Sequence, residues 1–288
     1  MALFSLTLLL CVPFGFSWLR LYAPQQEHVH NYPAFFSKAM GKPFRFEVWL
    51  PPGRSLGHCQ DCKVLIANDG QDMRAVNLRQ TLDSLTLHHN MPPVVVVAVH
   101  AGARLHDYGI AAQADYMGRG ELAAGYSRFV VEELLPFVQK EFNTHTGPEH
   151  TAVMGFSLGG LSAFDMAFQH PQVFGRVGVF SGSFWWRQKA YGKGYTDADR
   201  IMHNRVAQAK TAPPLRYWFE TGTADETNDR NKDGIIDSIG DCQDLITALH
   251  KLGHPDADIT YVEIAGGRHN QQTWGQALPH FLYWAFGG

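Results

Sequence analysis

The stretch Val94–Val99, VVVVAV, limits the folds open to this chain more than any other segment. A branched Cβ favours extended backbone, and an apolar run without polar alternation needs cover on both faces. Such a strand belongs in the middle of a sheet layered between helices. The flanking sequence supplies those layers. Strands are predicted at 44–50 (FRFEVWL), 63–68 (KVLIAN), 93–100, 150–154 (HTAVM), 176–181 (RVGVFS), 215–221 (LRYWFET) and 259–264 (ITYVEI). Helices are predicted at 76–89, 121–142, 158–169, 241–252 and 272–286. In 121–142, Phe129, Val130, Leu134, Phe137 and Val138 recur at helical spacing. Repeated strand–helix–strand order predicts an α/β fold, a mostly parallel central sheet with helices on both faces.

The 288 residues are 45% hydrophobic and 18% charged, a globular balance with enough chain for a large core. No internal repeat, low-complexity tract or long linker interrupts the pattern, so residues 31–288 are expected to form one α/β domain. Net charge is −3 with histidine neutral, and there is no Lys/Arg run, which argues against nucleic acid as a partner. Residues 1–30 form a separate N-terminal segment with two readings. Residues 3–16 are apolar enough for a signal-peptide core, with cleavage after Ser17. Phe4, Leu6, Leu8 and Leu10 also alternate with Ser5 and Thr7, as in a first strand. A cytoplasmic and a secreted or periplasmic location are both open on these readings. Pro13 breaks the run, which is too short to span a membrane, and no later segment qualifies. Cys59 and Cys62 form a CxxC without the second pair that a structural zinc site needs. The expectation there is a surface turn carrying a disulfide or two free thiols.

Residues 155–160, GFSLGG, lie between a predicted strand and a predicted helix. The pattern G-x-S-x-G in that setting describes a serine on a sharp turn at the sheet edge, with glycines giving clearance. Ser157 is the candidate nucleophile, and the amide of Leu158 at the helix start is a candidate oxyanion donor. A serine hydroxyl needs a base. His269 follows the last predicted strand, with His100 as its rival at the end of a middle strand. The base needs a carboxylate to orient it. Asp225 is the first acid after the strand 215–221, with Glu226 and Asp229 as rivals. The loop 69–72, DGQD, follows an early strand, and the amide of Gln71 is the second oxyanion candidate. An ordinary Asp-Gly turn is the alternative. The order Ser157, Asp225, His269 is one that α/β-hydrolases use.

Further segments extend the likeness: VWLPPG at 48–53, NDGQD at 68–72, FVVEELLPFVQKEF at 129–142, VFSGSFWW at 179–186, ETGTADE at 220–226 and GGRHN at 266–270. Together with GFSLGG, they make the chain resemble the esterase branch of the α/β-hydrolases. That branch includes enterochelin, feruloyl and acetyl-xylan esterases, S-formylglutathione hydrolases and mycolyltransferases. The resemblance implies an α/β-hydrolase fold and the roles named above for Ser157, Asp225, His269, Gln71 and Leu158. It implies ester hydrolysis through an acyl-enzyme, on a siderophore, feruloyl or other aryl ester, with no cofactor for the chemistry. An acyltransferase with the same triad and a non-catalytic binding module are the alternatives.

Trp185, Trp186 and Arg104 follow predicted strands at the same sheet edge and are candidate substrate contacts, with cover over the core the alternative for the two tryptophans and a solvated loop for Arg104. About 30 residues separate Phe184 from Leu215, so only a minimal cap is expected. After Asp225, Asp229, Asn231, Asp233, Ile235 and Asp237 occupy the alternating positions of a calcium loop around Gly234. Gly240 stands where that loop needs a bidentate glutamate. A structural calcium and a metal-free polar loop closed by an Asp-Gly turn are the two readings.

Overall fold

The computed structural model describes residues 28–287, so both readings of residues 3–16 lie outside the described residues. Its strands are β1 (Val29–Ser37), β2 (Lys42–Trp49), β3 (Lys63–Ala67), β4 (Val94–Val99), β5 (Thr151–Phe156), β6 (Arg176–Phe180), β7 (Arg216–Gly222) and β8 (Ile259–Ile264). They form one sheet in the order β1-β2-β4-β3-β5-β6-β7-β8. β2 pairs antiparallel with β1 and β4, and every pairing from β4 to β8 is parallel. The valine run is β4, with all six residues buried.

The principal helices are α1 (Leu78–His88), α2 (Arg104–Asp107), α3 (Ala123–Arg128), α4 (Leu135–Phe142), α5 (Leu158–Gln169), α6 (Ile201–Gln208), α7 (Asp237–Leu252) and α8 (Gln271–Phe286). A π-helical segment, Phe129–Leu134, joins α3 to α4. α1 and α8 cover one face through Leu82, Trp274, Leu278 and Phe281. The other face packs against α3–α5, α6 and α7 through Phe129, Phe164, Val206 and Leu245. This is the α/β-hydrolase arrangement, with helices on both faces and one short helix, α6, in the segment expected to be a minimal cap.

The sequence reading lacked β1, α6 and the single turn α2. β1 is an edge strand that carries Pro33 and a register shift between Tyr32 and Phe35. Both features are tolerated at an edge and blur the alternation that marks a strand. α6 is two turns long, too short for periodicity to stand out. The CxxC turn also departs from expectation. Cys59 and Cys62 are free thiols and fully buried in the core, not on the surface.

Among the described residues, no helix is long and apolar enough to cross a membrane. Phe281 is fully buried between Phe180 and Trp218, with ring centroids 5.6 and 5.5 Å away. Phe281→Ala should destabilise the fold by about 3–5 kcal/mol, read as a lower urea midpoint at unchanged slope.

Candidate active site

Ser157 occupies the junction between β5 and α5 with φ 53° and ψ −119°, a backbone conformation rare for residues with side chains. Its N–H donates to the Phe180 carbonyl at 2.8 Å, and its carbonyl accepts from Gly160, Leu161 and Ser183 at 3.0–3.1 Å. The flanking glycines prove to serve different neighbours. A Cβ at Gly155 would lie 2.2 Å from the Gly159 carbonyl oxygen, so that residue clears the turn itself. A Cβ at Gly159 would lie 2.2 Å from Asp69 Oδ2, so the second glycine admits a carboxylate from another loop. The Ser157 hydroxyl pairs with the Ser183 hydroxyl at 3.3 Å.

That carboxylate belongs to the loop after β3. Asp69 has left-handed backbone, φ 58°, and a side chain 1% exposed. Arg104 grips it with two bonds, Nε to Oδ1 at 2.7 Å and Nη2 to Oδ2 at 3.0 Å, and also donates to the Phe156 carbonyl at 3.1 Å. Burial pushes the Asp69 carboxyl pKa up, while Arg104 pulls it the other way. Asn68 donates to the Gly159 carbonyl at 2.8 Å and accepts from Tyr126 Oη at 2.7 Å. The Asp69 amide donates to Tyr108 Oη at 3.0 Å. The loop is thereby locked onto the start of α5. Gln71 follows, its side chain held by the Ala101 amide and Asp69. Among the described residues, neither the Gln71 nor the Leu158 amide has a hydrogen-bond acceptor, as anion-binding donors require.

Two of the expected substrate contacts change character. Arg104 is committed to Asp69 and Phe156, so it braces the loops rather than offering a free cation to the cleft. Trp186 is fully buried, packed over Gly109 and Gly120, and is core rather than cleft wall. Trp185 is half-buried and borders a 530 Å³ cavity with Arg187, Tyr191, Glu226 and Arg230. Sequence reasoning quoted Asn68 and Asp69 without giving them a role. Two polar residues directly after a wholly buried strand were the available signal.

At the far side, Asp225 and His269 come together. His269 Nδ1 lies 3.5 Å from Asp225 Oδ2, the imidazole 40% exposed and the carboxylate fully buried. No hydrogen bond joins His269 to Ser157. The two loops are stitched by backbone: Ala224 donates to Gly267 at 2.8 Å and Thr223 to Ile264 at 3.0 Å. His269 stands edge-on to Trp274, 5.3 Å between centroids. The rivals are engaged elsewhere. Glu226 accepts from Asn228, Asp229 from the amides of Asp233 and Gly234, and His100 lies 3.7 Å from Glu47.

The loop 229–237 closes on its own amides. Asp233 accepts from Asn231 and the Ile235 amide, and Asp237 accepts from the Arg230 amide at 2.9 Å. Arg230 reaches the buried Asp241, which Arg200 also contacts at 2.5 Å. Asp229 thus turns its carboxylate onto the amides of the fifth and sixth loop positions, and Asp237 onto that of the second.

Arg104→Met removes the partner of a buried carboxylate. It should cost about 3–5 kcal/mol of stability and lower turnover at temperatures where the protein stays folded, measured by denaturant unfolding and steady-state kinetics.

A profile of the family described as "Putative esterase" matches residues 37–285. The uncharacterized protein YbbA of Bacillus subtilis is 26% identical over 248 residues, 84% of this chain and 92% of that protein. The iron(III) enterobactin esterase of Escherichia coli K12 is 36% identical over 202 residues, 70% of this chain. The match covers only 44% of that enzyme's length. The enterobactin esterase FES of Shigella flexneri superposes with a TM-score of 0.71 at 21% identity, covering 89% of this chain and 58% of that one. The siderophore hydrolase EstA of Aspergillus nidulans superposes with a TM-score of 0.65 at 18% identity, covering 95% and 98%. With the profile spanning nearly all the described residues, the chain belongs to this esterase family of the α/β-hydrolases.

Proposed function

We propose that the protein is a serine hydrolase of carboxylic esters, with Ser157 as nucleophile, His269 as base and Asp225 as the orienting acid. The observation that carries this reading is the buried Asp225 carboxylate facing His269 Nδ1, at the sheet edge where Ser157 sits on its strained turn. In this mechanism Ser157 leaves Ser183 and attacks the ester carbonyl while His269 Nε2 takes its proton. The amides of Gln71 and Leu158 hold the tetrahedral oxyanion. His269 then protonates the leaving alcohol, and water hydrolyses the acyl-enzyme by the same route. The 3.5 Å between His269 and Asp225 is a resting distance that shortens as the imidazolium forms.

Relatives and solved neighbours named as enterobactin esterases, a ferulic acid esterase and a siderophore hydrolase support an aryl or siderophore ester as substrate. The half-buried Trp185 beside the acid loop supplies a flat apolar wall for such a ring. An acyltransferase would use the same residues and pass the acyl group to an alcohol, which product analysis with an added acceptor distinguishes. A binding module would lack turnover altogether.

Turnover of p-nitrophenyl acetate and butyrate should fall by at least about 10³-fold in Ser157→Ala, with the fold intact by circular dichroism. Equal activity in both proteins sinks the reading. The steps above route nothing through a metal, so EDTA should leave kcat unchanged. A kcat that falls with EDTA while the melting temperature stays unchanged would require a different mechanism.

A further inference from the structure

β7 carries a second carboxyl toward the same acid. We propose that Glu220 is a positioning residue of this site, a neutral carboxylic acid that donates its proton to Asp225 Oδ1 and so holds Oδ2 toward His269. The inference rests on the assignment of Asp225 and His269 proposed above.

Glu220 is 1% exposed, and neither of its carboxyl oxygens has a hydrogen-bond partner among the described residues. Asp225 Oδ1 is likewise buried and unpartnered, while Oδ2 faces His269. Three oxygens of two carboxyl groups are thus left unsatisfied at one end of one strand, where each lone orphan carries a desolvation cost. Strand geometry points the two groups at each other. Residues 220 and 222 lie on the same face of β7. A Cβ at Gly222 would meet the Gly267 carbonyl first and then Asp225 Oδ1 at 2.8 Å, so the orphan oxygen lies over that face beside the Gly267 backbone. Glu220 starts one pleat earlier, about 7 Å back along the strand, and has two methylenes with which to reach forward.

The surroundings decide where the proton sits. β6 and β8 place the apolar residues Phe180 and Val262 beside Glu220 in register. Asp225 is the charge that bears on it, and no cation does so among the described residues. The other titratable group that senses Glu220 is the Cys242 thiol of α7, which burial pushes up and keeps protonated. Burial first, and the Asp225 charge second, push the Glu220 carboxyl up to about 8. Two ionised carboxylates would face each other there without a donor. One neutral acid supplies the single proton that the arrangement lacks.

The test compares wild type with Glu220→Gln, which keeps a neutral donor, and Glu220→Met, which keeps bulk without one. Steady-state kinetics on p-nitrophenyl butyrate are run from about pH 6 to about pH 9.5, alongside denaturant unfolding. Near neutral pH, Glu220→Gln should keep kcat within about threefold, while Glu220→Met should lose about tenfold or more in kcat at unchanged KM. Wild-type kcat should decline as pH rises through about 8, and Glu220→Gln should abolish that decline. Unfolding gives a readout independent of catalysis. The unfolded glutamate ionises near its ordinary 4.5 and the folded one near 8, so the folded state holds the proton longer. Wild-type stability should therefore fall as pH rises between those values, a slope missing in Glu220→Gln.

Wild-type kcat in Glu220→Met overturns the proposal, as does a Glu220→Gln variant that is equally impaired or keeps the alkaline decline. If Glu220→Met does not fold, the Glu220→Gln pH profile and unfolding slope decide alone. Ester turnover that is indifferent to Ser157→Ala overturns the esterase reading and with it the positioning role. The unfolding slope then still reports whether Glu220 is a buried neutral acid.

Discussion

The arrangement depends first on the Asp69–Arg104 pair. A carboxylate buried to 1% exposure survives because a guanidinium meets it with two bonds and continues to the carbonyl of Phe156. That single arginine links three parts of the chain: the loop after β3, the short α2 and the last residue before Ser157. Asn68 adds a further tie to the carbonyl of Gly159, and Tyr126 fixes the amide group of Asn68. The placing of the Gln71 and Leu158 amides about Ser157 is therefore set by side chains bonded to one another and to the backbone of the two loops. Such outer contacts hold a reactive geometry more rigidly than loop backbone could.

A second set of ties brings the acid to the base. Backbone bonds from Thr223 and Ala224 to Ile264 and Gly267, with the Gly266 amide donating to the Thr223 hydroxyl, align the loops after β7 and β8. Beyond Asp225, the chain runs through a loop closed by its own amides and returns to the core at Asp241, where Arg200 and Arg230 converge. The polar loop is thus anchored at both ends, and its tip can take varied residues without moving Asp225.

Much of this was legible in the sequence. Strand and helix order followed from periodicity, and α5 and β8 agree with their predicted limits because GFSLGG and the glycine pair after ITYVEI punctuate them sharply. Asp225 and His269 were singled out from their places after strands, and the structure brings them within 3.5 Å while the rivals Glu226, Asp229 and His100 meet other groups. The failures share a cause: they concern what a side chain meets in three dimensions. Trp186 and Trp185 are adjacent and chemically identical, yet one is sealed in the core and the other half-open. Arg104 was read as facing substrate because nothing in the linear order shows that Asp69, 35 positions earlier, lies against it. Gly159 was correctly expected to provide clearance, but the group it clears is on another loop. Glu220 read as an ordinary strand residue, since burial on both faces becomes visible only when the sheet is assembled.

The sheet order carries a last consequence. Ser157 emerges from β5, flanked on both sides by wholly parallel strands, whereas His269 follows β8, the outermost strand, whose residues are mostly half-exposed. The proposed nucleophile and base thus follow an interior strand and one of the two edge strands of the same sheet. Edge strands open at lower free energy than central ones. On heating, the β8 margin should open while the β5–α5 turn is still intact, so turnover by the proposed mechanism should fade ahead of the fold. Durability of the enzyme as a catalyst is governed at the β7–β8 margin, not by the large aromatic core.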